Sequence, residues 1–212
     1  RRNKMTLIKP TPRFVKSIVV RFDNDAEISF ADKVLTRLFE ALPHNRNIEE
    51  VFPKVLVLDN LYRTNLYRTN IHAIHAVARR ICELDIDPEL EEKSLSLVND
   101  IAHVEISGQK KCLRSFASKY CSWHRPDVYP IYDSIVSKLI WAYQKSCSFA
   151  DFKRYELIDW PDYPRYAEII GQFRDHFGLN DFSFKELDEF LWLYGKNRDG
   201  IFDKYGLERE VS

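Results

Sequence analysis

Asp133, an aspartate at a helix start, and the basic segment before it, which carries Lys119, are the features that first suggest chemistry, in a stretch rich in polar and aromatic side chains. An aspartate just before an apolar helical run either caps that helix, by accepting from free backbone N–H groups, or serves as a catalytic carboxylate. The sequence leaves both open. Residues 110–123 carry Lys110, Lys111, Arg114 and Lys119 with no acid among them, a local excess of positive charge suited to a nucleic-acid backbone. Ser115 and Ser118 offer hydroxyls on the same segment. Trp123, His124 and Tyr132 supply rings that can wall a pocket for a heterocycle. Trp192 lies far along the chain, on a stripe with Leu187, Phe190 and Leu191 that equally suits a core.

Two helices are expected to hold these groups as a pair over residues 107–140. The first runs over 110–123; a loop containing Pro126 and Pro130 follows, and the second opens at Asp133. Its apolar face is Ile135, Val136, Leu139, Ile140 and Tyr143.

The remainder reads as further short helices. Residues 1–24 are expected to form an extended arm, with a short strand at the β-branched run Ile18-Val19-Val20. Ser29 is expected to cap a helix that ends before Pro43, with Val34, Leu35, Leu38, Phe39 and Leu42 at helical spacing. Asn47 begins another, which Pro53 kinks or resets. The pentapeptide LYRTN then occurs twice in tandem, over 61–65 and 66–70. A period of five matches neither helix nor strand, so one copy is assigned to a helix end and loop. The other leads into a helix over 70–84, with Thr69 or Asn70 as cap. His72 and His75 are neighbours on that helix, but no third ligand is within reach and no metal is expected.

Asp87-Pro88 opens a helix expected to reach about His103, with Glu89, Glu91 and Glu92 near its positive end. Ser148 is expected to cap a short helix ending at Trp160-Pro161. Another spans 161–178 and closes at Gly178, and Ser183 with Glu186 forms a capping box for a last helix ending at Gly195. The tail, 196–212, is polar. The expectation is a single all-α domain over 1–212, mainly helical.

The chain has 212 residues, with 32 basic and 32 acidic side chains. No global field draws it to a polyanion, so nucleic-acid binding requires basic residues sorted onto one face. Its 14 Phe, 11 Tyr and 4 Trp suit a packed core or a stacking surface. The four cysteines, Cys82, Cys112, Cys121 and Cys147, match neither zinc nor iron–sulfur spacing. With no leader pattern and no apolar run of about 20 residues, the expectation is a reducing cytoplasmic or nuclear setting and no membrane partner. No cofactor is expected.

The order of residues in the central stretch resembles the helix-hairpin-helix DNA glycosylase superfamily, closest to its 8-oxoguanine glycosylase branch. In that superfamily a helix following a Gly-rich hairpin bears a catalytic lysine, with alanine two positions on. A carboxylate eighteen residues after the lysine caps the next helix. Here Ser115-Phe116-Ala117-Ser118 takes the place of the lysine segment, and Pro130-Ile131-Tyr132-Asp133-Ser134-Ile135-Val136 that of the carboxylate segment, with eighteen residues between Ser115 and Asp133. Serine replaces the expected lysine, and Lys119 lies one turn later on the same face. Of the hairpin glycines only Gly108 remains, with Lys110 and Lys111 close behind it.

The resemblance implies excision of a modified base from nucleic acid, with DNA as partner. Asp133 would stabilise the oxocarbenium-like transition state and Lys119 would supply the amine that attacks the sugar. Ser115, Ser118, Trp123, His124, Tyr132 and Trp192 would line the substrate, with Lys110, Lys111 and Arg114 on the backbone. Two other readings stand beside it: a glycosylase-fold protein that binds a nucleic acid or nucleotide without catalysis, and a helical module that binds a protein partner.

Overall fold

The structure is a computed structural model that describes residues 7–62, 64, 66, 71–159 and 162–197. About 70% of the chain is helical and 4% is strand, which makes the fold mainly α. Helix α1 (Pro12–Asn24) occupies the segment expected to be extended. Thr11 caps it, its hydroxyl accepting from Phe14 N at 3.2 Å, and Pro12 fits the first turn, where no N–H is needed. The β-branched run is misleading here. Phe14, Val15, Ile18 and Val19 recur at helical spacing and are all buried, so burial of one face outweighs strand propensity.

Helix α2 (Ala26–Ala41) is capped by Asp25 rather than Ser29, with the Asp25 carboxylate accepting from Glu27 N and Ile28 N at 3.1 Å. Helix α3 (Ile48–Tyr62) continues through Pro53, and Asn47 accepts from Glu49 N at its start. The first LYRTN copy ends α3 with Leu61 and Tyr62. In the loop beyond, Thr64 Oγ1 and Leu66 N both donate to Asp59 Oδ1, and Leu66 is buried. Thr69 and Asn70 lie outside the described residues.

Helix α4 (Ile71–Leu84) forms as the pattern predicts. The single helix expected from Asp87 to His103 is instead two, α5 (Asp87–Glu92) and α6 (Leu97–Ala102), separated where Lys93 turns left-handed at φ 61°.

Strands β1 (His103–Ile106) and β2 (Gln109–Cys112) follow as an antiparallel hairpin, in which Val104 faces Lys111 and Glu105 faces Lys110. Lys110 and Lys111 therefore lie on a strand, not on the helix expected over 110–123. Ser107 and Gly108 make its two-residue turn, both with positive φ, which is the geometry that matches strand twist. Buried Val104 and Ile106 alternate with exposed His103 and Glu105, a period of two that distinguishes the segment from helix.

Helices α7 (Arg114–His124) and α8 (Ser134–Cys147) form the central pair. Ser148 ends α8 in a left-handed conformation instead of starting a helix, and a short π-helical turn follows at Tyr155–Asp159. Trp160 and Pro161 lie outside the described residues. Helix α9 (Tyr163–His176) is closed by Gly178 at φ 65°. Helix α10 (Phe184–Asn197) has the expected capping box, Ser183 N donating to Glu186 Oε2 at 2.8 Å and Glu186 N to Ser183 Oγ at 3.2 Å. It runs past Gly195, and residues 198–212 lie outside the description.

One buried cluster draws on every helix, from Phe14 in α1 to Tyr194 in α10. Helix α1 lies on α10, with Phe14 edge-on to Phe190 and Tyr194 at 5.7 Å each. Among the described residues no helix is long and apolar enough to cross a membrane.

Candidate functional site

Helix α7 is enclosed so fully that even its lysine is buried: Lys119 keeps 4% of its surface. Its ammonium donates to Ser115 Oγ at 2.7 Å, one turn back, and lies 5.4 Å from the centre of the Tyr62 ring. Burial pulls its pKa below the ordinary lysine value, against the opposing attraction of Asp133 and Asp188.

Asp133 caps its helix, one of the two roles the sequence left open, and it also faces a cavity. Its Oδ1 accepts from Ile135 N at 2.7 Å and Val136 N at 3.4 Å, capping α8, and the same side chain lines a cavity with Lys119. The loop that delivers it is pinned by phenols. Tyr163 donates to Pro130 O at 2.8 Å, Tyr166 to Ile131 O at 2.7 Å, and Tyr132 to Ile158 O at 3.1 Å. Ser118 Oγ accepts from Tyr132 N at 2.9 Å and ties that loop to α7. These buried and part-buried hydrogen bonds fix the α7–α8 geometry around Lys119 and Asp133.

The cavity has a volume of about 460 Å³, within the range of small-molecule sites. Tyr62, Phe22 and Trp192 give it aromatic walls, with Phe22 edge-on to Trp192 at 6.5 Å. Helix α10 contributes Asp188, Trp192 and Lys196 from a single i, i+4, i+8 row, with Glu189 beside them. Lys185 bridges Asp32 of α2 and Glu189 of α10 at the cavity edge. Burial pushes Glu189 up to about 7 despite the pull of Lys185, and pushes Asp188 up to about 8 despite that of Lys119. The lining holds more acids than lysines, with Glu27, Asp32, Asp133, Asp188 and Glu189 against Lys119, Lys185 and Lys196.

The structure thus brings Lys119, Asp133 and Trp192 together, with Ser115 holding the amine. Trp123 and His124 line a second cavity, of about 550 Å³, with His44, Asp87 and Arg125. Among the described residues only Lys185 reaches both. Burial and the nearby Lys54 charge push His124 down to about 3, so its imidazole is neutral. Tyr132 packs on Tyr166, with the Arg114 guanidinium 5.7 Å from its ring centre. Lys110 and Lys111 sit on the exposed strand β2, which leads directly into α7.

Sequence reasoning missed Tyr62, Asp188, Glu189 and Lys185. The signal for the acids was Asp188-Glu189 embedded between Leu187 and Phe190, two carboxylates inside an apolar helix face. Among the described residues no cluster of three or more His, Cys, Asp or Glu is placed to hold a metal.

Residues 14–128 match the model of the HI_0787_N family, described as an N-terminal domain. A Haemophilus influenzae protein named "Uncharacterized protein" is 41% identical over 158 residues, which is 74% of this chain and 70% of the relative. The chain belongs to the HI_0787_N family. No solved structure matches it. The segment matched to the HI_0787_N family runs from α1 through α7 and so contains Tyr62, Asp32 and Lys119. Asp133 and the α10 side chains lie beyond it.

Proposed function

We propose that this member of the HI_0787_N family is a DNA glycosylase-like enzyme of helix-hairpin-helix type that excises a modified base at the cavity between α7, α8 and α10. The observation that carries the reading is the convergence of the Lys119 amine, the Asp133 carboxylate and the Trp192 and Tyr62 rings on that one cavity. A base turned out of the duplex stacks on the rings, with its sugar toward α7 and the Asp133 cap. Asp133 stabilises the positive charge that grows on the sugar as the glycosidic bond breaks. Desolvation favours the neutral Lys119 amine, the form that attacks C1′. The order of helix α6, hairpin and helix α7 also supports this reading.

One observation favours a second reading, a glycosylase-fold protein that binds a nucleic acid without cleaving it. The hairpin before α7 is a β-hairpin with one glycine, and its side-chain ammonium groups replace the backbone-amide grip of a Gly-rich turn. Duplexes carrying 8-oxoguanine, an alkylated purine or uracil separate the two. Base release that disappears in Asp133→Asn supports the enzyme; binding with no release from any of the three supports the binder.

A further inference from the structure

Asp188 has no place in the chemistry so far, yet it faces the same cavity as Lys119 and Asp133. It sits one turn before Trp192 on α10, whose ring forms part of the wall. Its side chain is half-buried, and Oδ1 is shut off from solvent with no hydrogen-bond partner. Among the described residues no other carboxylate oxygen is in that state. Asp133 is engaged by the α8 amides, Glu189 by Lys185, and Asp32 by the same lysine. A buried polar atom left unpaired is costly unless something arrives to meet it.

We infer that Asp188 is a further catalytic residue of this cavity, a carboxylic acid that donates its proton to the departing base. The inference rests on the proposed base excision. A carboxylic acid, unlike a carboxylate, has a proton to give, and its environment selects that form. Burial raises its pKa most, Asp133 and Glu189 add to this, and Lys119 and Lys185 oppose it, for a net value of about 8. Tyr62 on α3 and Tyr166 on α9 face it as neutral phenols, their own pKa values raised by burial and by this carboxyl. Asp32 and Glu27 of α2 and Lys196 of α10 complete the charged lining.

The step balances without a co-reactant. The Lys119 lone pair forms a bond to C1′ while the C1′–N bond to the base breaks, its electron pair leaving with the base. The Asp188 proton passes to that base, which departs neutral. The new ammonium at Nζ then loses a proton, which returns the Asp188 carboxylate to its acid form. Burial favours the uncharged form of both the Asp188 acid and the Lys119 amine, and Asp133 lines the same cavity.

The test is single-turnover base release from the 8-oxoguanine, alkylated-purine and uracil duplexes from pH 5 to 10, with wild type, Asp188→Asn and Asp188→Glu. Carbon-13 NMR titration of the Asp188 carboxyl in the free protein runs alongside. The expected result is a fall in wild-type rate above about pH 8, a loss of about 100-fold in Asp188→Asn at pH 7 with no such fall, and partial recovery in Asp188→Glu. The carboxyl should titrate near neutrality or above. Equal rates and pH profiles in wild type and Asp188→Asn would overturn the inference while leaving base excision intact. Absence of release by wild type on all three duplexes would overturn the excision reading and this inference with it, whatever the carboxyl does.

Discussion

Lys119 Nζ donates to Ser115 Oγ at 2.7 Å, back along α7 by one helical turn. A helix rises about 5.4 Å per turn, and long side chains lean toward its N-terminus, so an extended lysine recovers the distance. The amine thereby reaches back to the side chain at position 115, where the resemblance places a lysine, and the small serine leaves room for it. The charge order of the proposed site follows from the burial around that amine and around Asp188.

Gly195 should be irreplaceable, although it sits within a helix where alanine is ordinarily better by about 1 kcal/mol. A Cβ there would lie 2.7 Å from Ile135 Cγ2, closer than real contacts allow, and Ile135 N is the amide that Asp133 caps. Overpacking of this kind costs about 1–3 kcal/mol, so the clash wins. Gly195→Ala should lower the urea midpoint and perturb Asp133; an unchanged midpoint would show that α8 and α10 separate freely.

Asp133 should show two separable roles. Asp133→Asn keeps a cap and should cost little stability, whereas Asp133→Ala should cost about 1 kcal/mol. Both should abolish base release, because neither carries charge. Denaturation midpoints and release rates measured on the same preparations test the separation. A fully active Asp133→Asn would remove the carboxylate from the chemistry.

The helices were largely legible because their faces repeat at 3.6 residues and their caps are written locally, as in α4 and the Ser183–Glu186 box. The errors have local causes. In α1, β-branched residues masked a helical face that only its packing on α10 reveals. In 103–112, the alternation around Ser107-Gly108 was a hairpin signal overlooked in favour of the lysines. At the site, Asp133 was legible as a carboxylate at a helix start, and Lys119 only through the resemblance. Asp188 and Tyr62 join them only through tertiary packing of α10 and α3, which no local pattern encodes.

His124 should make the protein acid-sensitive. In the unfolded chain it takes up a proton near pH 6.5; in the fold, burial and Lys54 hold it down to about 3. Between those values the unfolded state binds more protons, so stability falls as pH drops through that window. His124→Phe should flatten this part of the stability profile between pH 6.5 and 4, measured by urea unfolding. An identical slope in the variant would place the acid sensitivity elsewhere.

The hairpin should govern affinity for the nucleic-acid backbone. Lys110 faces Glu105 across the strands, whereas Lys111 faces Val104. Lys111→Glu should therefore weaken duplex binding more than Lys110→Glu, and flatten the salt dependence by roughly one slope unit for each phosphate no longer neutralised. Unchanged affinity and slope would remove β2 from the interface.

Borohydride trapping tests the central claim most directly. Incubated with a duplex whose base it releases, the wild-type protein should form a covalent adduct on reduction, mapped by mass spectrometry to Lys119, the buried amine beside Ser115 and Asp133. Lys119→Gln should form none. Base release with no trapped adduct, or an adduct that persists in Lys119→Gln, would contradict the account.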